Sequence, residues 1–483
     1  MAKKWVVLAL LCLSAVLNAQ APDRSRAPQP GPPPSVKLPA IQKRALSNRM
    51  PVWIVERHGV PVVHVNLIVL SGTGDDPPGK YGIASLTASL LTEGAGSRSA
   101  LEVADAVDFL GADLVTNSSS DASAVRLNVP VARLGDALPI MADVAMRPTF
   151  PQAELDRQKA ERLTNIIQAR DDPASIDQLG FARVVYGTTL RYGTAQAGTA
   201  QTIQAFTVDD VRSFYRAAYQ PGNAALIVVG DITPDGVMPM LESNFGKWQG
   251  TGVTAPHVTF TPPPLPATRQ VYIIDKKGAP QSQVRIGWVG VARSTPDYFP
   301  IAVMNNALGG SFSSRLNLNL REKHGYTYGA QSQFDMRLGA GPVVAAAGIQ
   351  TDKTADALKE FFIELNGIRQ PLPADELARD KHYISLRYPL GFETTGDIAQ
   401  RLEQALVYHF PDDYFATYVP KIEAVTAAEV QRVAQKYIVP DKFAVVIAGD
   451  RAAIEPGIRA LNLGPIKILT IDDVFGPPPP APK

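Results

Sequence analysis

The 483-residue chain has a single cysteine, Cys12, and no uninterrupted apolar run of the ~18 residues a membrane-spanning helix needs. One thiol excludes a disulfide framework and a cysteine-ligated metal. Charge is scarce in excess: Lys+Arg number 47 against Asp+Glu 46, a formal net charge of +1. With no basic surplus to neutralise phosphates, the composition argues against nucleic acid as a partner. Six histidines are present, at 58, 64, 257, 324, 382 and 409, and no two lie three to five residues apart. A pair of zinc ligands on one helical face therefore cannot be drawn from them. What the chain does contain is 45% hydrophobic and 19% charged residues, the balance of a globular protein. At about 100–200 residues per domain, the length allows two large domains or several smaller ones.

The two ends differ in composition from the rest. Lys3 and Lys4 precede the short apolar run Trp5–Leu17, followed by Asn18-Ala-Gln-Ala21. A charged start, a short apolar stretch and small residues form a secretory leader. Cleavage is expected after Ala19, giving a mature chain without a membrane span and exported, in a Gram-negative cell, to the periplasm. Residues 20–38 are Pro-rich and read as a disordered tether, and residues 473–483 read as a second Pro-rich tail.

Between these ends the chain repeats itself. Thr207-Val-Asp-Asp210 opens a helical stretch that runs to Tyr219 and Pro221, and the apolar run Asn223–Val229 comes next, ending in Gly230-Asp231. Thr426-Ala-Ala-Glu429 opens a second such stretch, leading to Tyr437, Pro440, the run Phe443–Ala448 and Gly449-Asp450. Thr with an acid three residues later is a capping box, and each apolar run reads as a buried strand. Val52–Gly59 and Val271–Gly278 match as strand, charged turn and glycine, each succeeded by a further strand, at Val62–Leu70 and Gln283–Val291. Ser99-Ala-Leu-Glu102 caps another helix, Leu358, Phe361, Phe362, Leu365 and Ile368 form a helical stripe, and Ala124–Val129 alternates as a strand. The Pro- and Gly-rich stretch 250–268 divides the repeats, giving domains at 39–249 and 269–472. Strands and helices mixed without strict alternation predict an α+β fold, two homologous α/β sandwiches in which a mixed sheet is covered by helices.

Asn306-Ala-Leu-Gly-Gly-Ser-Phe-Ser-Ser-Arg-Leu316, followed by Asn317-Leu-Asn-Leu-Arg-Glu-Lys-His-Gly-Tyr-Thr-Tyr-Gly329, resembles the second-domain signature of the pitrilysin/insulinase peptidases, the inverzincins. The resemblance extends over roughly residues 40–470 and implies two domains closed as a clam shell. Active members carry His-x-x-Glu-His on a first-domain helix, two zinc ligands with a general base between them. The matching positions here are Ser85, Ala88 and Ser89, and the family's third ligand, a later Glu, aligns with Asn165. Serine is a poor zinc ligand and alanine is none, so this chain is expected to bind no metal. The resemblance assigns Arg321 and Tyr328, seven residues apart, to stabilising the oxyanion of the attacked peptide, and Gly309 and Gly310 to substrate binding. His324, between Arg321 and Tyr328, reads as a solvent-facing helix end.

These residues leave two readings. In the first, the chain is the zinc-lacking subunit of a heteromeric metallopeptidase, and a homologous partner with His-x-x-Glu-His carries the zinc and cleaves unfolded peptides. In the second, it is an inactive scaffold or peptide-holding homologue. A pure scaffold has no chemical reason to keep both Arg321 and Tyr328, which favours the first.

Overall fold

The computed structural model describes residue 31 and residues 40–255, 257–259 and 261–479. All of its helices and strands belong to the unit Ser35–Lys483. The leader, nearly all of the Pro-rich segment 20–38 and the last four residues lie outside the described residues.

The internal repeat is reproduced strand for strand. In the first half the strands are β1 (Gln42–Ala45), β2 (Pro51–Glu56), β3 (Val62–Val69), a two-residue hairpin β4 (Gly94–Ala95) and β5 (Arg98–Ser99), β6 (Asp113–Ser118), β7 (Ser123–Pro130) and β8 (Ala224–Gly230). In the second half they are β9 (Gln270–Asp275), β10 (Gln281–Val289), β11 (Thr327–Phe334), β12 (Pro342–Gln350), β13 (Ala444–Gly449) and β14 (Ile466–Leu469). One six-stranded sheet runs β1-β2-β8-β3-β7-β6 and the other, taken in the same sense, β14-β9-β13-β10-β12-β11. Each central Gly-Asp strand pairs in parallel with the first strand of its repeat and antiparallel with the second. Only the outermost strand differs: β1 precedes its neighbour in the chain and pairs antiparallel, whereas β14 comes from the end of the second half and pairs parallel. The capping boxes at Thr207, Thr426 and Ser99 form as the spacing predicts.

Strands β8 and β13 are buried along their whole length, because both faces of each sheet are covered. Alternation divides β8 between two layers: Leu226 and Val228 face the helices of the first half, whereas Ile227 and Val229 face the other way. That second face is closed by residues from the second half, among them Ile398, Ala399 and Leu402 on the helix Thr395–Val407. The exchange is reciprocal. The helix Pro173–Tyr186 of the first half packs on β10 and β13, burying Ile176, Phe181 and Val185 in the second core. Ion pairs fasten both crossings: Arg126 of β7 grips Glu403 bidentately at 2.6 and 2.8 Å, and Arg285 of β10 lies 3.0 Å from Asp177. The two sandwiches are thus interleaved. Each inner face already carries a helix of the other half.

The C-terminal segment also departs from expectation. Residues 473–475, read as tail, belong to a helix, Ile471–Phe475, with a Thr470/Asp473 capping box. Val474 is fully buried, Arg183 Nε donates to its carbonyl at 3.1 Å, and Arg170 Nη1 donates to that of Gly476 at 2.7 Å. Counting Pro and Gly hid two apolar residues with a place to go.

In the second half, Asp297 joins the start of the helix Tyr298–Asn305 to the helix Ala427–Tyr437. Its carboxylate accepts from Arg432 at 2.7 Å, Lys436 at 3.0 Å and Tyr437 Oη at 2.6 Å. The bond from Arg432, with those from Tyr437 and Lys436, holds its pKa well below the usual carboxylate range against the opposing effect of burial. Asp297→Asn is expected to cost about 1–2 kcal/mol at pH 7, a figure kept modest because Arg432 and Lys436 are half exposed. A depressed folded-state pKa gives stability that is present above the unfolded value near 4 and lost as pH falls through the folded one. Denaturant titrations of both proteins should therefore show the gap at pH 7 and show it narrowing below about pH 4.

Candidate functional site

Ser85, Ala88 and Ser89 lie on the helix Ile83–Leu90. Asp76 fixes the start of that helix, its two carboxylate oxygens accepting from the backbone N–H of Gly82 at 2.6 Å and of Ala84 at 2.9 Å. Arg191 Nε in turn donates to Asp76 at 2.8 Å in a fully enclosed pair. Burial pushes the Asp76 pKa up to about 6, with Arg191 opposing it. Neither residue belongs to the motif read from the sequence, yet together they set where its helix begins.

The long helix Gln152–Ala169 packs beside this one and presents Arg162 to both serines. Arg162 Nη1 donates to Ser85 Oγ at 2.9 Å, and Nη2 donates to Ser89 Oγ at 2.7 Å and to the Ser85 carbonyl at 3.0 Å. Ser89 Oγ donates to the same carbonyl at 3.0 Å. Burial lowers the Arg162 pKa, while the charges of Glu161 and Asp76 work against that. Guanidinium starts from so high a value that it stays charged. A side-chain cation thus sits between the two serines that the sequence resemblance sets at the family's histidine positions. The residues present do not fit zinc: both serine hydroxyls are spent on a positive charge, and Ala88 is a fully buried methyl group. Among the described residues no group of His, Cys, Asp and Glu has the arrangement of a metal site.

Asn165 does not reach the serines. One turn beyond Arg162 on the same helix, it lines an apolar cavity of about 220 Å³ with Ile166, Leu179 and Phe475. The side chain of this helix that faces the serines is Arg162. The signal was available, because an arginine three residues before the aligned position occupies nearly the same helical face.

The second-half motif is built differently. Gly309 is buried, and a Cβ there would lie 2.1 Å from the backbone nitrogen of Ser332. Glycine therefore lets the wide π-helical turn Asn306–Gly310 rest directly on β11. Gly310 is exposed beside it. Arg315 clamps Glu376 with two bonds of 2.7 Å, and Asn317 accepts from Ala330 N–H while donating to the Phe312 carbonyl. This fixes the helical segment from Arg315 to Lys323, which carries Arg321. Gly325, at φ 65°, turns the chain from that segment toward β11. A break in register between Thr327 and Ala330 then swings Tyr328 out of the sheet, leaving it 90% exposed. The Arg321 guanidinium lies 4.5 Å over the Phe312 ring, itself 64% exposed, and its Nε is 3.5 Å from Glu322. His324 is half-buried rather than solvent-facing, stacked on Tyr326 at 4.9 Å.

Both halves of the chain match models of one known family. Residues 52–198 match the insulinase family, peptidase family M16, and residues 205–383 match the peptidase M16 inactive domain. The chain belongs to the insulinase (M16) peptidase family. Relatives within M16 include an uncharacterized zinc protease of Streptomyces coelicolor, 26% identical over 370 residues, which make up 75% of this chain and 80% of the relative. YmxG of Bacillus subtilis, also an uncharacterized zinc protease, is 23% identical over 364 residues, covering 75% and 87%. A crystal structure of a peptidase M16 inactive domain from Pseudomonas fluorescens is 25% identical, covers 85% of this chain and 98% of its own, and superposes with a TM-score of 0.78. A protease from Helicobacter pylori shares the fold at 21% identity and a TM-score of 0.79, covering 85% and 100%.

Arg162 makes a specific demand on any attempt to rebuild the M16 metal site. Installing Ser85→His, Ala88→Glu, Ser89→His and Asn165→Glu leaves a buried guanidinium among the new ligands, where its charge repels a divalent cation. That variant should retain well under one zinc per chain after dialysis, as should the unaltered protein. Adding Arg162→Leu should raise retention toward one, and metal analysis of the three proteins checks it.

Proposed function

We propose that this chain is the zinc-lacking subunit of a heteromeric M16 peptidase of the periplasm. In this reading it lends Arg321 and Tyr328 to an oxyanion formed on a homologous, zinc-bearing subunit. The observation that carries the reading is the exposure of the motif. Tyr328 stands free of its sheet, and Arg321 lies over an exposed ring, with Glu322 its one charged contact among the described residues. An ordinary structural tyrosine is packed, and an ordinary structural arginine is engaged by a well-placed acid. Here the tyrosine is almost fully exposed and the arginine has no bidentate acid among the described residues. A guanidinium fork and a phenol O–H aimed at a developing negative charge lower a barrier electrostatically without moving a proton. Zinc on the partner would supply the activated water, and this chain's own residues would supply only charge stabilisation and positioning.

The substrate class in this reading is unfolded oligopeptide, added as a strand to a sheet edge. Edge strands β6 and β11 end the two sheets, and β6, which carries an exposed Val115, lies next to the helix of Ser85 and Ser89. A second reading, an inactive peptide-holding homologue, draws support from Arg162, which fills the metal position.

Kinetics of the mixed assembly separate the two. Combined with the zinc-bearing subunit, Tyr328→Phe and Arg321→Ala should each lower kcat by roughly 10²–10³ with little change in KM, as expected when a single oxyanion donor is lost. Tyr328→Phe keeps the ring and should leave Tm unchanged. Wild-type kcat for both variants would favour the peptide-holding reading.

A further inference from the structure

A cavity of about 410 Å³ lies where the end of β11 meets the helices Tyr298–Asn305, Thr395–Val407 and Tyr414–Ala424; neither Arg321 nor Tyr328 lines it. Its walls include Tyr298, Tyr388, Tyr414 and Tyr418, and two arginines, Arg293 and Arg401, open into it. The aromatic residues hold one another: Tyr388 stacks on Tyr418 at 4.2 Å and Phe410 on Tyr414 at 4.0 Å. Packing of this kind accounts for the tyrosines. The arginines need a separate explanation.

Arg293 is fixed in orientation. Its guanidinium lies 3.5 Å from the centre of the Tyr298 ring and 4.4 Å from that of Phe410, and it donates to Tyr414 Oη at 2.5 Å. None of these partners carries a negative charge. Arg401 has still less, the ring of Phe392 at 5.8 Å, and among the described residues it makes no hydrogen bond or ion pair. The acids nearby are already engaged. Asp335, on the cavity wall, takes Arg337; Glu403 takes Arg126; Asp397 caps its own helix. Both guanidinium groups thus border one partly enclosed space whose wall acid, Asp335, is already paired with Arg337. An incoming anion would meet two cations there that no carboxylate holds.

The missing group is an anion that accepts hydrogen bonds in a plane. Guanidinium forks match a carboxylate in two bonds, tyrosine hydroxyls add further donors, and the ring faces suit a flat apolar body. We propose that this cavity binds a carboxylate attached to an aromatic or bulky apolar group, as in a free aromatic acid or at the C-terminus of a peptide, with Arg401 and Arg293 holding the carboxylate. Burial pushes the Tyr388 and Tyr414 hydroxyls above their ordinary pKa, so they stay uncharged at neutral pH, the Tyr388 hydroxyl already donating to the Phe415 carbonyl at 3.3 Å.

Calorimetric titration of the full chain tests this with four probes: N-acetyl-phenylalanine, its uncharged amide, inorganic phosphate, and the peptide Gly-Gly-Gly-Gly-Phe with its C-terminus free or amidated. N-acetyl-phenylalanine should bind at least about tenfold more tightly than its amide, the worth of a charged bidentate contact. Binding of the free peptide but not the amidated one assigns the source to peptide termini, and binding of the small acid alone assigns it to free acids. Arg401→Gln should weaken the acid by about tenfold or more with little change in Tm, because among the described residues that side chain makes no hydrogen bond or ion pair and only a distant ring contact, with Phe392. Arg401→Lys, which keeps the charge without the fork, should fall between. Equal affinity for acid and amide, phosphate binding as tightly as the acid, Arg401→Gln without effect, or no binding of any probe would each overturn the proposal.

Discussion

The architecture rests on one constraint: a sheet buried on both faces needs two coverings, and neither half of this chain supplies its own second one. The helix Pro173–Tyr186 leaves the first half to close the second sheet, and Thr395–Val407 returns the exchange. The interior of each half is therefore partly made of the other. Arg126 with Glu403 and Arg285 with Asp177 lock the crossings in register. Everything placed at the ends and edges of the sheets, including the helix of Ser85 and the strand of Tyr328, is positioned by this mutual packing.

On that frame the two halves have taken opposite courses. The first keeps the scaffold of a metal site, a helix capped by Asp76 and a long neighbour crossing it, and fills the centre with a tethered monovalent cation. Guanidinium is directional and has no open coordination position, so it holds the two helices together and cannot polarise a bound water as a metal does. The second half keeps its donors uncommitted. A tight glycine contact at Gly309 and a register break before Ala330 make a rigid mount for side chains that contribute little to the fold.

Much of this was legible in the sequence because it is local. Capping boxes at Thr207 and Thr426, the buried runs before each Gly-Asp and the stripe from Leu358 to Ile368 depend on neighbours within a few residues. The repeat then carried each such reading from one half to the other. What could not be read depends on contacts distant in sequence. No periodicity tells that Leu402 packs on Val229 of the other half, or that Phe475 folds back beside Asn165. Arg162 illustrates the middle case. Its helix and face were within reach, but its role appears only when two serines 73 and 77 residues earlier come within hydrogen-bond distance.

The docking of Thr470–Gly476 against Arg170 and Arg183 has a consequence for the order of assembly. This segment is made after both sheets, yet it completes a wall beside the helices Gln152–Ala169 and Pro173–Tyr186. Until it is made, the seats of Val474 and Phe475 are apolar surface without their cover. The packing around the helix Pro173–Tyr186 is therefore complete only once nearly the whole chain exists.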